Sequence, residues 1–371
     1  MIPVCEPLLS EAARRYVDEC LRTGWISSAG RFITEFEERW AAYCGMDHGV
    51  AVSNGTAALE LALEALDLTP GDEVILPTFT IVSCALAVVR ARATPVLVDS
   101  DPVTWCLDVA QLRARIGPRT RAIMPVHIYG HPVDMDPVLE LARAHGLTVV
   151  EDAAEAHGAT YKGRRVGGLG DLSCFSFYAN KIISTGEGGM VLARRVEHAD
   201  RLRALRNLCF GAERRFVHAA AGHNYRLTNL QAAIGVAQVE SIDEHLRRKR
   251  WMGRAYSDRL RGLAQLTLPA EAGWARSVYW MYGVVLADDV GYDAAEFARR
   301  LRQEGVETRP FFVGMHEQPV FRERGLFAGE RYPVAERLSR RGLYLPSGLT
   351  LTEAQVEAVS QAVRQVLERS S

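Results

Sequence analysis

The chain has 371 residues, 48% of them hydrophobic and 24% charged, with a formal net charge of −1. That composition suits a globular protein with a large core and two domains, and near-zero charge argues against nucleic acid as the main partner. The longest apolar run, residues 81–89, ends at Arg90 and is far short of the roughly 20 residues a membrane helix needs.

The N-terminus, MIPVCEP, has no basic region and no long apolar core, so no signal peptide is expected. The seven cysteines (5, 20, 44, 84, 106, 174 and 209) are scattered and free of CxxC spacing. They fit reduced, buried thiols in a cytoplasmic protein.

Residues 9–23 carry apolar side chains at helical spacing, and Thr23-Gly24 closes that helix. Residues 32–43 read as a second amphipathic helix. A short apolar strand at 49–52 runs into Ser53-Asn-Gly-Thr56, and 57–66 is a strong helix capped by Ser53 or Asn54. Such a strand–Gly–helix junction presents free N–H groups and a positive dipole end, a seat suited to a phosphate.

Continuous apolar runs follow at 73–76, 96–98, 122–126 and 148–150, as expected of strands buried on both faces of a parallel sheet. Helical patterns at 83–90, 109–115 and 137–145 separate them. The alternation predicts right-handed βαβ units in a three-layer α/β domain, with ligands at the carboxyl ends of the strands. Asp152 stands at one such end, and Lys181 follows the strand predicted at 173–177. With the 53–56 turn they can converge on one crevice.

A strand at 189–193 and a helix at 197–206 come next, then an irregular stretch at 209–225. Thr228 caps a long predicted helix, 229–260, polar and Arg-rich in its second half. The expected domain boundary lies within it, giving a large domain at 1–240 and a smaller α+β domain at 241–371. The latter has helices at 293–304, 334–341 and 353–368 and strands at 277–285 and 308–312. No internal repeat is apparent.

Lysine is nearly absent: of 44 basic residues only Lys162, Lys181 and Lys249 are lysine. Lys162 reads as part of a solvated turn and Lys249, in RRKR (247–250), as part of an exposed helical face. Lys181 alone has a strand-like approach and a Gly-rich exit. An amine can lose its proton, whereas a guanidinium stays charged. A lysine, a carboxylate and a phosphate-cradling helix start match what pyridoxal 5′-phosphate (PLP) requires: a Schiff-base amine, a partner for the pyridine nitrogen and a phosphate seat.

The segments SNGTAAL (53–59), PGDEVILPTFT (70–80), PVHIYGHPVDMDP (125–137), EDAAEAHGATYKG (151–163), GDLSCFSFYANKIISTGEGGMV (170–191), HNYRLTNLQAAIG (223–235) and TRPFF (308–312) carry a resemblance. Over nearly its whole length the chain resembles the PLP-dependent fold-type I sugar-nucleotide aminotransferases of the DegT family.

The resemblance implies an aspartate-aminotransferase-like large domain with a mostly parallel sheet and a smaller C-terminal domain. Lys181 is then the Schiff-base lysine and proton shuttle, and Asp152 the partner of the pyridine nitrogen. Glu155 lies near the ring hydroxyl, where much of the family has Gln or His. Gly55, Thr56 and Ser176 hold the phosphate, with Ala57 beside them, and Asn229 reaches over from the second subunit of a homodimer.

Where relatives often stack an aromatic on the cofactor this chain has Ile81, so the contact is apolar or falls to Phe79. His316 sits where the family brings a histidine near the sugar. Arg309 holds a phosphate or carboxylate, or else a structural salt bridge. Tyr178 and Asn180 flank Lys181 and orient the sugar or pack locally, while His127 reads as a satisfied core histidine.

The implied reaction moves an amino group from glutamate, through pyridoxamine 5′-phosphate, to the 4-keto carbon of a nucleotide-linked 6-deoxy sugar. TGWISSAG (23–30), EDAAEAHG (151–158) and ETRPFFVGMHEQPVF (307–321) resemble the family members that act on a GDP-linked acceptor, which the resemblance therefore favours. The alternatives are a 3-keto or a dTDP- or UDP-linked sugar, or a non-catalytic regulatory protein on the same fold. Family members that dehydrate the sugar have His in place of the lysine, so Lys181 argues against that chemistry.

Overall fold

The structure is a computed structural model and describes residues 1–211, 214 and 216–369; part of the irregular stretch expected at 209–225 lies outside them. The chain opens with α1 (Glu11–Thr23) and α2 (Arg31–Cys44). Ser10 caps α1, its side chain accepting from Ala13 N, and Gly24 ends it at φ 75. Then come β1 (His48–Val52), α3 (Gly55–Glu64), β2 (Glu73–Pro77), α4 (Ser83–Arg90), β3 (Thr94–Val98), α5 (Val109–Arg115) and β4 (Thr120–Ile123). The domain continues with α6 (Met135–His145), β5 (Thr148–Asp152), β6 (Thr160–Tyr161), β7 (Arg164–Arg165), β8 (Leu172–Ser176), β9 (Gly189–Ala193) and α7 (Val196–Arg206).

The main sheet has seven strands in the order β1-β9-β8-β5-β4-β2-β3. Only β9 runs against its neighbours, β1 and β8; every other pairing is parallel. The carboxyl ends of β1, β2, β5 and β8 therefore face the same edge. The strands are almost wholly buried, β9 at every residue, which explains why their sequences read as continuous apolar runs.

The expected helix over 229–260 is broken. Ser241 separates α8 (Asn229–Glu240), which starts on a Thr228–Gln231 capping box, from α9 (Ile242–Leu260). Helix α8 packs on α1 and α2.

The remaining chain is β10 (Leu266–Thr267), β11 (Ala275–Arg276), β12 (Tyr282–Leu286), α10 (Ala294–Gln303), β13 (Arg309–Pro310), α11 (Pro319–Arg322), α12 (Pro333–Arg341), β14 (Gly342–Leu345) and α13 (Glu353–Glu368). Helix α9 packs on α13. A second, antiparallel sheet has the order β10-β12-β14-β13. Its core gathers Met252, Tyr256, Leu260, Phe297, Leu301 and Val363, separate from the larger core around Trp40, Phe36 and Phe177. Two hydrophobic cores are what a chain of this length is expected to divide into.

Two predicted strands are shorter than expected. Residues 277–281 are not strand, because Tyr279 takes a left-handed φ of 47 and turns the chain before β12 begins. The strand expected at 308–312 keeps only Arg309–Pro310. Lys249 is the clearest correction. It is not on an exposed face but 1% exposed, donating to the carbonyls of Trp280, at 2.8 Å, and Ser347. Its neighbours Arg247 and Arg248 are the solvated ones, both paired with Glu244.

Candidate active site

The aligned strand ends and the start of α3 enclose a cavity of about 720 Å³. Asn54, rather than Ser53, caps α3: its Oδ1 accepts from Ala57 N at 2.8 Å. Gly55 and Thr56 then open the helix with N–H groups that have no intrahelical partner, at the positive end of the dipole. A Cβ on Gly55 would stand 2.7 Å from Ser176 Cβ, so glycine is what lets the helix start close over the end of β8. Thr56 Oγ1 and Ser83 Oγ lie 2.9 Å apart. Also lining the cavity, Glu60 pairs with Arg90 and accepts from Tyr225 OH at 2.6 Å.

Glu151 and Asp152 end β5 and, being consecutive in a strand, point to opposite faces. Glu151 turns inward, where its carboxylate accepts from the N–H groups of Gly167, Leu169 and Gly170 and from His127 Nε2. Val133 N–H donates to His127 Nδ1 at 3.0 Å, which leaves Nε2 to donate to Glu151, so His127 is a satisfied core histidine as its sequence suggests. Asp152 turns into the cavity. Its Oδ1 accepts from Ala154 N at 3.0 Å and its Oδ2 faces Cys84 Sγ at 3.0 Å.

Lys181 follows β8, its backbone N–H donating to Tyr178 O at 2.9 Å. Its Nζ stands 3.9 Å from Glu155 Oε1 and 3.6 Å from the centroid of the Trp280 ring. Glu155 Oε2 accepts from Tyr129 N at 2.7 Å. Burial dominates both partners. It pushes the Glu155 carboxyl up to about 7, against the pull of Lys181 and the Tyr129 N–H, and it lowers the Lys181 amine against the pull of Glu155 and Asp152. An amine whose charge is disfavoured, beside a carboxyl that titrates near neutrality, can give and take protons.

The cavity thus brings together Gly55, Thr56, Ala57, Ile81, Asp152, Glu155, Ser176, Tyr178 and Lys181. Ile81 reaches it and is 39% exposed, whereas Phe79 is buried behind it among Tyr129, Phe311 and Phe312. Two expected residues, His316 and Arg309, do not line it. Asn229, expected to reach over from a second subunit, has its amide nitrogen donating to Trp25 O at 2.7 Å and its amide oxygen accepting from Phe32 N at 3.1 Å in this chain. His316 is 2% exposed, with Nδ1 on Thr78 Oγ1 at 2.9 Å and Nε2 3.4 Å from Glu336 Oε1. Arg309 is exposed and paired with Glu307 at 2.6 Å, the salt-bridge alternative.

Sequence reasoning missed Cys84, Trp280 and the Glu60–Arg90–Tyr225 group. Cys84 lies three residues beyond Ile81, at the second position of α4, a spacing that signals a shared face. Trp280 gave no signal, since its apolar surroundings read as the interior of a strand.

The donor set fits PLP. A buried amine, a buried carboxylate at a strand end, and a glycine cradle of free N–H groups with hydroxyls at a helix start lie in one cavity. A sequence model of the DegT/DnrJ/EryC1/StrS aminotransferase family matches residues 7–364. The chain is 47% identical to the GDP-perosamine synthase of Caulobacter vibrioides over 99% of this chain and 98% of that one. It is 40% identical to the GDP-perosamine synthase of Escherichia coli O157:H7, covering 98% of each. The crystal structure of the aminotransferase TlmJ from Streptoalloteichus hindustanus superposes with a TM-score of 0.92 at 34% identity, over 100% of this chain and 99% of that one.

Proposed function

The chain belongs to the DegT/DnrJ/EryC1/StrS aminotransferase family and is a PLP-dependent aminotransferase, and from this premise we propose that it aminates the 4-keto carbon of GDP-4-keto-6-deoxy-mannose with glutamate as donor, yielding GDP-perosamine. The observation that carries the substrate is the 47% identity with a GDP-perosamine synthase across 99% of the chain. The Lys181, Asp152 and Glu155 cluster supports the chemistry.

When bound, PLP supplies an electron sink that makes the proton on the amine-bearing carbon acidic. The protein residues do the rest. Asp152, held by Cys84 and Ala154, would be the carboxylate partner of the pyridine nitrogen. Lys181 would hold the cofactor through Nζ, and its freed amine would be the group that takes and returns the proton of the amine-bearing carbon. Burial keeps its amine available for that task. Gly55, Thr56, Ala57 and Ser176 would hold the phosphate, and Ile81 would supply an apolar wall for the ring. Glu155 lies beside Lys181 and sets its local field. The enzyme works in the cytoplasm as a homodimer.

Turnover by mass spectrometry with glutamate and a panel of GDP-, dTDP- and UDP-linked keto sugars tests the reading. The expected result is amination of the GDP-linked 4-keto sugar alone; preferential amination of a dTDP- or UDP-linked sugar overturns the substrate. Lys181→Ala is expected to abolish turnover and the cofactor–lysine absorbance, and an active variant ends the proposal.

A further inference from the structure

Trp280 is 3% exposed, and its position is fixed at three points. Its backbone N–H donates to Tyr129 O at 3.0 Å. Its indole Nε1 donates to Asn180 O, next to Lys181, at 2.8 Å. Its carbonyl accepts from Lys249 Nζ at 2.8 Å. The residue before it, Tyr279, is held at φ 47, a conformation that is unfavourable for a bulky side chain and persists only where the surroundings impose it. The product of these constraints is an indole face 3.6 Å from Lys181 Nζ.

Lys249 does nothing else visible. It is fully buried on α9, donates to the carbonyls of Trp280 and Ser347, and has no carboxylate partner among the described residues. A buried ammonium without a counter-charge is expensive, and burial pushes its pKa down to about 8. Ser347 follows β14, and the Ser347 hydroxyl accepts from Tyr282 N at the start of β12 at 2.9 Å. Lys249 thus ties the antiparallel sheet to the residue that faces the catalytic amine.

We propose that Trp280 seats the side-chain nitrogen of Lys181 when that nitrogen is free and protonated, and that Lys249 is a positioning residue holding this seat in place. An indole face attracts an ammonium more strongly than it does a neutral amine. It therefore raises the proton affinity of a lysine that burial lowers. Glu155 acts in the same direction from the other side. The other ionisable groups around Lys181 are Asp152 at the end of β5, Cys84 on α4, Cys5 of the N-terminal segment and His157; none of them is altered by the variants below.

The inference rests on the reading of Lys181 as the cofactor lysine, but its test reads the amine without cofactor. The full-length protein, stripped of PLP, is labelled with an amine reagent across pH, and modification of each of the three lysines is followed by peptide mass spectrometry. Trp280→Leu is expected to lower the labelling pKa of Lys181 by about half to one unit. Trp280→Phe, which keeps an aromatic face, is expected to shift it less. Lys249→Met is expected to shift Lys181 in the same direction as Trp280→Leu, and the double variant no further than Trp280→Leu alone. Where Lys249→Met yields no folded protein, Lys249→Gln, which keeps an N–H donor pair, is expected to leave Lys181 closer to wild type than Trp280→Leu does. An unchanged Lys181 titration in Trp280→Leu overturns the seat. Additive shifts in the double variant, or a Lys249→Gln shift as large as that of Trp280→Leu, overturn the positioning role. Failure of PLP to bind wild type would instead sink the cofactor reading and leave this titration standing.

Discussion

Cys84 Sγ lies 3.0 Å from Asp152 Oδ2, inside a wall where both side chains are buried. Burial, reinforced by the Asp152 charge, pushes the thiol pKa well above its ordinary value, so the sulfur keeps its proton and donates it. Cys84→Ala removes a donor from a buried carboxylate and leaves a small void. The expected cost in the PLP-free protein is about 2 kcal/mol, read from urea unfolding. Cys84→Ser keeps the donor and should cost less than about 1 kcal/mol. In an Asp152→Asn background, where no charge is left unpaired, the Cys84→Ala cost should shrink. An equal cost in both backgrounds would show that the thiol only fills space.

Glu155 gives a pH signature. Burial, first among its causes, raises its carboxyl to about 7, above the roughly 4.3 of an unfolded chain. Between those values the native state binds more protons than the unfolded one, so stability falls as pH rises through that window. The contribution is fully present below about pH 4.3 and lost above about 7, on the order of 3–4 kcal/mol. Glu155→Gln keeps the acceptor for Tyr129 N–H and removes the titration. The stability of wild type minus that of Glu155→Gln, measured without PLP, should therefore decline from pH 4.5 to 7. A flat difference contradicts the raised carboxyl.

Glu151 should behave in the opposite sense. Burial favours its neutral form, yet the hydrogen bond from His127 and the Gly170 and Gly167 N–H groups bring its pKa below the ordinary value. Its contribution is present above the unfolded pKa and lost as pH falls through the native one. Glu151→Gln turns an acceptor-only group into one carrying an N–H₂ that faces donors. We expect a loss of about 3–5 kcal/mol, measured by urea unfolding at pH 7, with a smaller loss at acid pH. Equal losses at both pH values would mean that the carboxylate charge is not what the four donors hold.

Asp152 and Lys181 are legible in the sequence because Asp152 closes an apolar run and Lys181 comes a few residues after another strand-like segment, and a parallel sheet puts such ends at one edge. The glycine cradle is legible for the same reason, since Asn54 and Gly55 punctuate a strand–helix junction. Lys249 is not. Its neighbours are arginines, and a helix stripe of that composition reads as solvated. What buries it is a pair of carbonyls 31 and 98 residues farther along the chain. Trp280 is hidden likewise, since its role depends on the left-handed turn at Tyr279, which an aromatic-rich segment does not announce. The break at Ser241 escapes notice because polar helix and polar turn share a composition.

Gly55 offers a test of the phosphate seat that reports on geometry rather than on a lost functional group. A Cβ added there would lie 2.7 Å from Ser176 Cβ and 3.2 Å from Ser176 Oγ. Neither Cβ is the far end of a flexible side chain, so the start of α3 must move away from the end of β8. The N–H groups that converge on a phosphate would then splay, and hydrogen bonds to a charged group are worth roughly 1.5–3 kcal/mol each. Gly55→Ala should therefore weaken PLP binding by about 10- to 100-fold in absorbance titration, with overpacking costing about 1–3 kcal/mol of stability. Removing the obstructing side chain discriminates between the two effects. Gly55→Ala with Ser176→Gly should recover most of the stability but only part of the affinity, because the contact is relieved while the Ser176 hydroxyl is gone. If the double variant is no more stable than Gly55→Ala, the close approach of α3 to β8 is not what requires glycine.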